Sequence, residues 1–414
     1  MEEIKNKWER MQLTDVCEIS PSKKEVKDLD KQMIISFLPM ASVSENGHII
    51  YQEERKLKDV IKGFTYFRDG DVLLAKITPC FENGKRALAT DLMNGIGFGT
   101  TEFHVIRAKK EVTPKWIFYT ISDDRFRNLA KSKMTGTAGQ KRVPKRVLEE
   151  YTIPVPPIDE QNLIVQEIET QFTRLEAAVK SLKNVKKKLD VYRKSVLKTA
   201  FEGNLINAQF KMLKISDIAL SVTYGTSKKA KETGIIPVIR MGNLQNGEIS
   251  YTNLKYYDSL KDINDLTLIE GDILFNRTNS AELVGKTSIF RGNSNYNDIV
   301  YASYIIRIRV DREKIIPQYI NYWLNSPQAT FIKEKLKSQQ VGQANINGTK
   351  LKNMEFPYTE DLNAQFDIVQ EIESRFSVID KIEQTIDKAL LKTEQLRKSI
   401  LKAAFGGRLV EGQS

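Results

Sequence analysis

The sequence predicts an α+β fold: two tandem, pseudo-repeated α/β heads separated by two long antiparallel coiled-coil helices, in a pseudo-twofold, circular arrangement. Three observations predict it. Val165-Gln166-Glu167-Ile168-Glu169 returns as Val369-Gln370-Glu371-Ile372-Glu373, and the run Arg193 to Leu205 returns as Arg397 to Leu409, both at an offset of 204 (165 to 369, 193 to 397). A duplication of this length builds two similar bodies with two similar surfaces. Apolar residues then recur in heptad steps, at Val165, Ile168, Phe172, Leu175, Val179, Leu182, Leu189 and Val196, and again at Val369, Ile372, Phe376, Ile379, Ile382, Ile386, Leu390 and Ile400. Finally, short β-rich runs (34–40, 71–77, 103–106 and their partners) alternate with helical ones (115–130 and 318–335) in the first half of each repeat.

These signals divide the chain into a head over 1–157, a long helix over 158–205, a second head over 206–360 and a second long helix over 361–414. Each helical run of about 40 residues would be roughly 60 Å long. Without internal breakers such a helix needs a partner, and the simplest partner is the other copy. Ile153-Pro154-Val155-Pro156-Pro157 interrupts earlier structure, Asp159 is the expected N-cap, and Gly203 and Gly407 are the expected C-terminal stops. The heads align more loosely. Gly70-Asp71-Val72 matches Gly271-Asp272-Ile273, Val105-Ile106-Arg107 matches Ile305-Ile306-Arg307, and Gly139-Gln140 matches Gly342-Gln343, so loops have changed length while the frame has stayed.

The 414 residues carry 64 Lys+Arg against 53 Asp+Glu, a net charge of +11, which is compatible with a nucleic-acid partner. The alternative is a basic protein with solvated lysines. Cys17 and Cys80 provide neither a disulfide framework nor metal-ligand spacing, and His48 and His104 are too few for most histidine-based sites. No apolar run is long enough to span a bilayer. The expected compartment is the cytoplasm.

No catalytic apparatus emerges. Gly285-Lys286-Thr287 resembles the end of a phosphate loop, but Ser280 stands where the earlier glycine is required. Gly95-Ile96-Gly97-Phe98-Gly99 precedes a strand, which makes it a turn rather than a cofactor loop. Pro156-Pro157 is followed by Ile158, so an amino-methyltransferase motif is also missing.

The order head, helix, head, helix resembles the DNA-specificity subunit of type I restriction-modification systems. The most specific parts are the helix entry Ile153 to Gln161 and the paired Leu-Lys-x-Ala-Phe-x-Gly endings. The second entry, Phe356-Pro357-Tyr358-Thr359-Glu360-Asp361, departs from the proline-rich form, which bears on the angle of that joint. The resemblance implies a non-catalytic chain that binds an asymmetric, bipartite double-stranded DNA target. Each head would be a target-recognition domain, with the helices setting the spacer. It also implies two docked methyltransferase subunits and, through them, restriction/translocase subunits. No cofactor is expected in this chain; S-adenosylmethionine, ATP and Mg are expected only in the partner subunits.

Candidate DNA contacts lie on loops. Lys23 and Lys24 recur as Lys228 and Lys229, paired lysines suited to phosphates. Lys76, Thr78, Asn83, Lys85 and Arg86 correspond to Asn276, Arg277, Thr278, Asn279 and Lys286; Arg can fork onto guanine and Asn onto adenine. Gln140, Lys141 and Arg142 correspond to Gln343 and Asn345 within the Gln339 to Asn347 stretch. Tyr224, Tyr301 and Tyr304 are core or contact residues. Phe201 and Phe405 are expected at the helix ends, packed against the opposite head. The recurring Gln166, Glu167, Glu169, Gln370, Glu371 and Glu373 are expected to meet two copies of one partner. Two rival readings stand beside this one: a coiled-coil adaptor with two protein-binding heads, and a self-contained nuclease or methyltransferase.

Overall fold

The structure, a computed structural model, describes residues 8–206, 208–259, 264–296, 298–340 and 343–409. It contains two compact units, one of Met1–Leu182 with Lys388–Ser414 and one of Lys183–Asp387. Among the described residues no helix is long and apolar enough to cross a membrane.

In the first unit, the strand Val72–Ala75 is apolar at every position and buried on both faces, so it lies inside its sheet. It is flanked by Phe103–Ala108 and Arg86–Leu88, and Cys17–Ile19 closes the far side of Phe103–Ala108. A second four-stranded sheet holds Glu53–Lys56, Ile34–Leu38, Ile96–Gly99 and Thr65–Arg68, with Ile34–Leu38 parallel to Ile96–Gly99. In the second unit the same inner frame returns: Ala219–Tyr224, Ile305–Val310, Ile273–Asn276 and Thr287–Ile289, extended by Gly247–Ile249 and Leu244–Gln245. Each head is closed by its own two-stranded ribbon. Glu9–Gln12 pairs with Thr152–Val155 in one, and Lys211–Lys214 with Glu355–Tyr358 in the other.

Strand register corrects the sequence alignment. Val72 pairs with Ile106, and Ile273 pairs with Ile308. Arg107 therefore corresponds to Arg309, not Arg307. Chemistry agrees: Arg107 grips Asp71 with both Nε and Nη2 (2.8 and 2.7 Å), and Arg309 grips Asp272 at the same two distances. A slip of two residues keeps every side chain on its proper face, so the apolar alternation alone does not distinguish the two registers. Arg307 is buried elsewhere, donating to the carbonyls of Asp265 and Thr267.

The helical stretches expected over 115–130 and 318–335 are each two helices. Pro114–Thr120 ends before Asp123, whose carboxylate accepts the Arg125 N–H and opens Asp124–Ser132. Pro317–Leu324 likewise ends before Ser326, whose hydroxyl caps Pro327–Leu336.

The long helices are Ile158–Phe201 and Leu362–Ala404. The first begins one residue before Asp159, which is thus inside the first turn rather than at the cap; its charge still favours the positive end of the helix. Gly203 (φ +77°) and Gly407 (φ +72°) end the helices in the left-handed conformation, as expected. The predicted seam is buried or half-buried except at Ile382, which is 40% exposed.

Helix entry is locked in both units by one buried glutamine. Gln161 accepts the Thr113 N–H (2.9 Å) and donates to the carbonyls of Glu111 and Pro156 (2.8 Å each). Gln365 accepts the Ile316 N–H (2.9 Å) and donates to Lys314 and Thr359 (3.0 and 2.8 Å). The second joint is therefore bonded as the first is, despite its different sequence.

Within the first unit, Phe405 meets Trp116 edge-on at 4.9 Å, and Leu401 and Ala404 join the same core as Ile164, Ile168 and Phe172. Within the second, Phe201 meets Tyr319 at 5.2 Å, in a core with Ile368, Val369 and Ile372. Each helix end thus packs on the head that follows or precedes it in the other repeat, as the sequence suggested.

Candidate nucleic-acid interface

In both heads the chain leaves the buried central strand and is pinned at the first residue outside it. In the first head that residue is Lys76: its N–H donates to Glu102 O (2.9 Å), and its carbonyl accepts the Val143 N–H (2.9 Å). In the second it is Arg277, bonded to Tyr304 O (3.0 Å) and to the Ile346 N–H (2.9 Å). The two positions are one socket holding different side chains.

Around Lys76 the structure gathers several of the expected residues. Thr78 donates through N–H (2.9 Å) and Oγ1 (3.2 Å) to the carbonyl of Lys141, which ties the 135–142 loop to the strand exit. Arg142 forks onto Glu102 at 2.9–3.2 Å, and this hydrogen-bonded cation holds the Glu102 carboxyl below its usual range. Gln140 and Lys141 are exposed. Lys76, Lys23 and Lys145 share a groove of about 340 Å³ with Ser20, Thr65 and Thr101. Lys145 was missed from the sequence, although the run Lys141-Arg142-Val143-Pro144-Lys145-Arg146 carries the signal. Lys23 is only half-exposed and donates to Ile61 O (3.1 Å), while Lys24 is exposed. His104 lies beneath, with Nε2 2.8 Å from Val143 O; burial lowers its pKa and favours the neutral ring.

The turn that follows presents Asn83 to solvent, but Lys85 bends back to Met40 O (3.1 Å). Arg86 corrects the expectation. Its guanidinium donates to Ser122 Oγ and Gly84 O and lies 5.3 Å from the Phe118 ring centre, so its fork is occupied within the head. Burial, with Arg127 and Arg397 nearby, pushes its pKa down to about 10.

In the second head, Arg277 lies over Tyr224, 4.7 Å from the ring centre. Thr278 pairs with Asn345, whose Nδ2 donates to Thr278 Oγ1 at 2.6 Å, and Gln343 is exposed on the same small sheet. Asn279 Nδ2 reaches Met241 Sδ (3.2 Å), and Lys286 Nζ reaches Gln245 Oε1 (3.5 Å). Lys228 and Lys229 are exposed, and the Tyr257 hydroxyl fixes the loop by donating to Lys228 O (2.6 Å). Asn276 is a second correction: it is fully buried and donates to Leu283 O (3.1 Å), so it cannot meet a base edge. Tyr301 is core, with its hydroxyl on Thr223, whereas Tyr304 is half-exposed. Gly342, aligned with Gly139, lies outside the described residues.

The six helix residues expected to meet a partner divide. Gln166 and Gln370 are exposed. Glu167 is bonded by Gln171 and Glu371 by Arg375, both one turn along the same helix at 2.7 Å. Glu169 and Glu373 face their own heads: Glu169 pairs with Lys115 (2.8 Å), and Glu373 with Arg291 (3.1 Å) and the Tyr322 hydroxyl (3.2 Å). They line clefts of about 690 and 750 Å³ between head and helices in their respective units. Their recurrence reflects a repeated internal contact.

A family model described as the type I restriction modification DNA specificity domain matches residues 5–187 and 207–392. The EcoAI specificity subunit of Escherichia coli is 43% identical over 175 residues, which is 42% of this chain and 28% of that protein; the matched part thus spans under a third of this relative's length. The EcoKI specificity subunit of Escherichia coli K12 is 26% identical over 317 residues, 74% of this chain and 68% of that one. The fold resembles that of a chain solved in a study of type I restriction-modification complex assembly (TM-score 0.78, 18% identity, 97% of this chain and 98% of that chain). It also resembles the HsdS subunit of Thermoanaerobacter tengcongensis (TM-score 0.60, 19% identity, 97% of each chain).

Proposed function

Because the chain belongs to the type I restriction modification DNA specificity family, we propose that it is a non-catalytic specificity subunit that binds a split DNA target, one half-site per head. The observation that carries this reading is the shared socket: one backbone frame offers Lys76 in the first head and Arg277 in the second. Two readers built on one frame with different side chains suit two different half-sites. The lysine groove of the first head suits phosphates, which position without specifying.

Two methyltransferase subunits would dock on the exposed helix faces at Gln166 and Gln370, and restriction/translocase subunits would join through them. S-adenosylmethionine, ATP and Mg would then be bound by those partners. The test is binding of the purified chain to duplex DNA across a salt series. Affinity should fall by about two orders of magnitude or more between 50 and 200 mM salt, as expected when several phosphate contacts release counterions. A flat salt response would favour an adaptor that binds proteins.

A further inference from the structure

We propose that Arg277 reads a guanine in the half-site of the second head, and that the socket shared with Lys76 is where the two heads diverge in base preference. The inference rests on the DNA-reading function proposed above and adds to it one residue and one base.

Four observations converge on Arg277. Its backbone is clamped on both sides, by Tyr304 O and by the Ile346 N–H, so its Cα cannot drift. Its guanidinium is stacked on Tyr224. Tyr224 is itself fixed, because its hydroxyl accepts the Gly348 N–H at 2.7 Å; a Cβ on Gly348 would come within 2.9 Å of that oxygen. Among the described residues the guanidinium makes no hydrogen bond and no ion pair, and its Nε is buried without a partner. Most other arginines of this head are spent on protein groups: Arg309 on Asp272, Arg291 on Glu248 and Glu373, Arg307 on two carbonyls. An arginine clamped through its backbone, laid over a fixed ring and unpaired at a strand exit has little entropy left to lose on binding. Its remaining planar donors match the O6 and N7 acceptors that guanine shows in the major groove.

The first head lacks this device. Ile19 pairs with Ile106, and Val222 with Ile308, so Pro21 stands where the second head has Tyr224. Lys76 therefore has a proline where Arg277 has its tyrosine, and an ammonium offers no planar fork. The two sockets share a frame and differ in chemistry.

A pool of randomised duplexes selected on the full chain gives the bound sequence. A guanine is expected in the second half-site that wild-type protein requires and Arg277→Ala does not, with the first half-site unchanged. At that position 7-deazaguanine, which lacks the N7 acceptor, should weaken wild type about tenfold and leave R277A unaffected. Arg277→Lys, which keeps the charge and most of the stem, should lose the base preference while retaining salt dependence; it also serves if R277A does not fold. The proposal is overturned if R277A selects the same sequence as wild type and only lowers the salt slope by about one, the mark of a phosphate contact. It is equally overturned if the second half-site holds no required guanine. Failure of wild-type protein to bind any duplex would instead reject the DNA-reading function itself.

Discussion

Arg397 donates to Glu176 at 2.6 Å in the first unit, and the pair that follows by an offset of 204, Arg193 and Asp380, is bonded at 2.6 Å in the second with the two helices exchanged. The aromatic half of the contact is copied as well: Arg397 lies 4.3 Å from the Phe172 ring centre and Arg193 lies 4.5 Å from that of Phe376. Both units thus use one device to hold antiparallel helix segments in register. The paired residues 176 with 397, 186 with 387 and 193 with 380 share one sum, 573. Helices that slid by a turn would break every one of these pairs.

Arg193→Glu is expected to destabilise the second unit by about 1–2 kcal/mol, because it removes the ring contact and places a third carboxylate beside Asp380 and Glu383. Adding Asp380→Lys should restore part of the loss, since the ion pair returns without the stacking. Urea unfolding of the single and double variants measures both terms. A double variant no more stable than R193E would show that the charges do not pair.

Gln161→Leu should cost about 2–4 kcal/mol, although glutamine and leucine are close in size. The change leaves the Thr113 N–H and the carbonyls of Glu111 and Pro156 without their partner beside a buried side chain. Gln365→Leu should cost a similar amount through Ile316, Lys314 and Thr359. Calorimetry of each variant checks this. Loss confined to a surface-like few tenths would mean that water replaces the amide.

The sequence already displayed what repetition can display. The offset of 204 located both long helices, both glycine stops and the terminal phenylalanines, because helix contacts recur with the residues that make them. It did not say which side of a helix each recurring residue faces. Glu169 and Glu373 recur because Lys115 and Arg291 recur in function, and a buried contact leaves the same trace as an exposed one. Asn276 and Arg86 are of the same residue types as the candidate DNA contacts beside them; only strand register and the packing of Ser122 and Leu283 turn them inward. The helix breaks at Asp123 and at Ser326-Pro327 were legible as capping signals. The apolar periodicity running through them masked the interruption.

Stability of the second unit should rise with pH above neutrality because of Lys333. Its ammonium is buried, donating to Gly285 O (2.8 Å) and Leu324 O (2.7 Å), and burial, aided by Lys337, pushes its pKa down to about 7. The unfolded lysine titrates near 10.5. Below pH 7 both states carry the proton and the cost of burying the charge is fully present. Between 7 and 10.5 only the unfolded chain stays protonated, so folding gains at most about 1.4 kcal/mol per pH unit. Lys333→Met should remove this component, so wild type should gain stability relative to the variant as pH rises. Urea midpoints at pH 6.5, 7.5, 8.5 and 9.5 give the slope; parallel curves for the two proteins would contradict the assignment.

On the proposed reading, in which the helices set the spacer between two half-sites, the shared register ties any change of spacer to both helices at once. Four residues added after Lys186 alone lengthen one helix by about 6 Å, but they move Arg193 off Asp380 while leaving Arg397 on Glu176. The single insertion is therefore expected to lower stability and weaken binding to the native spacer without creating a clean preference for another. Matching it with four residues placed just before Asp387, the residue that Lys186 meets at 2.6 Å, keeps Lys186 on Asp387 and Arg397 on Glu176 and returns Arg193 to Asp380. About 6 Å along the DNA axis is between one and two base pairs at 3.4 Å each, so the double insertion should prefer a spacer longer by that amount. A four-residue step interrupts the heptad phase and locally unwinds the pair, which the half-exposed stretch around Leu182 and Leu189 can absorb. Binding to a duplex series that differs only in spacer length reads the outcome. An unchanged preference in the double insertion would mean that something other than these helices measures the distance.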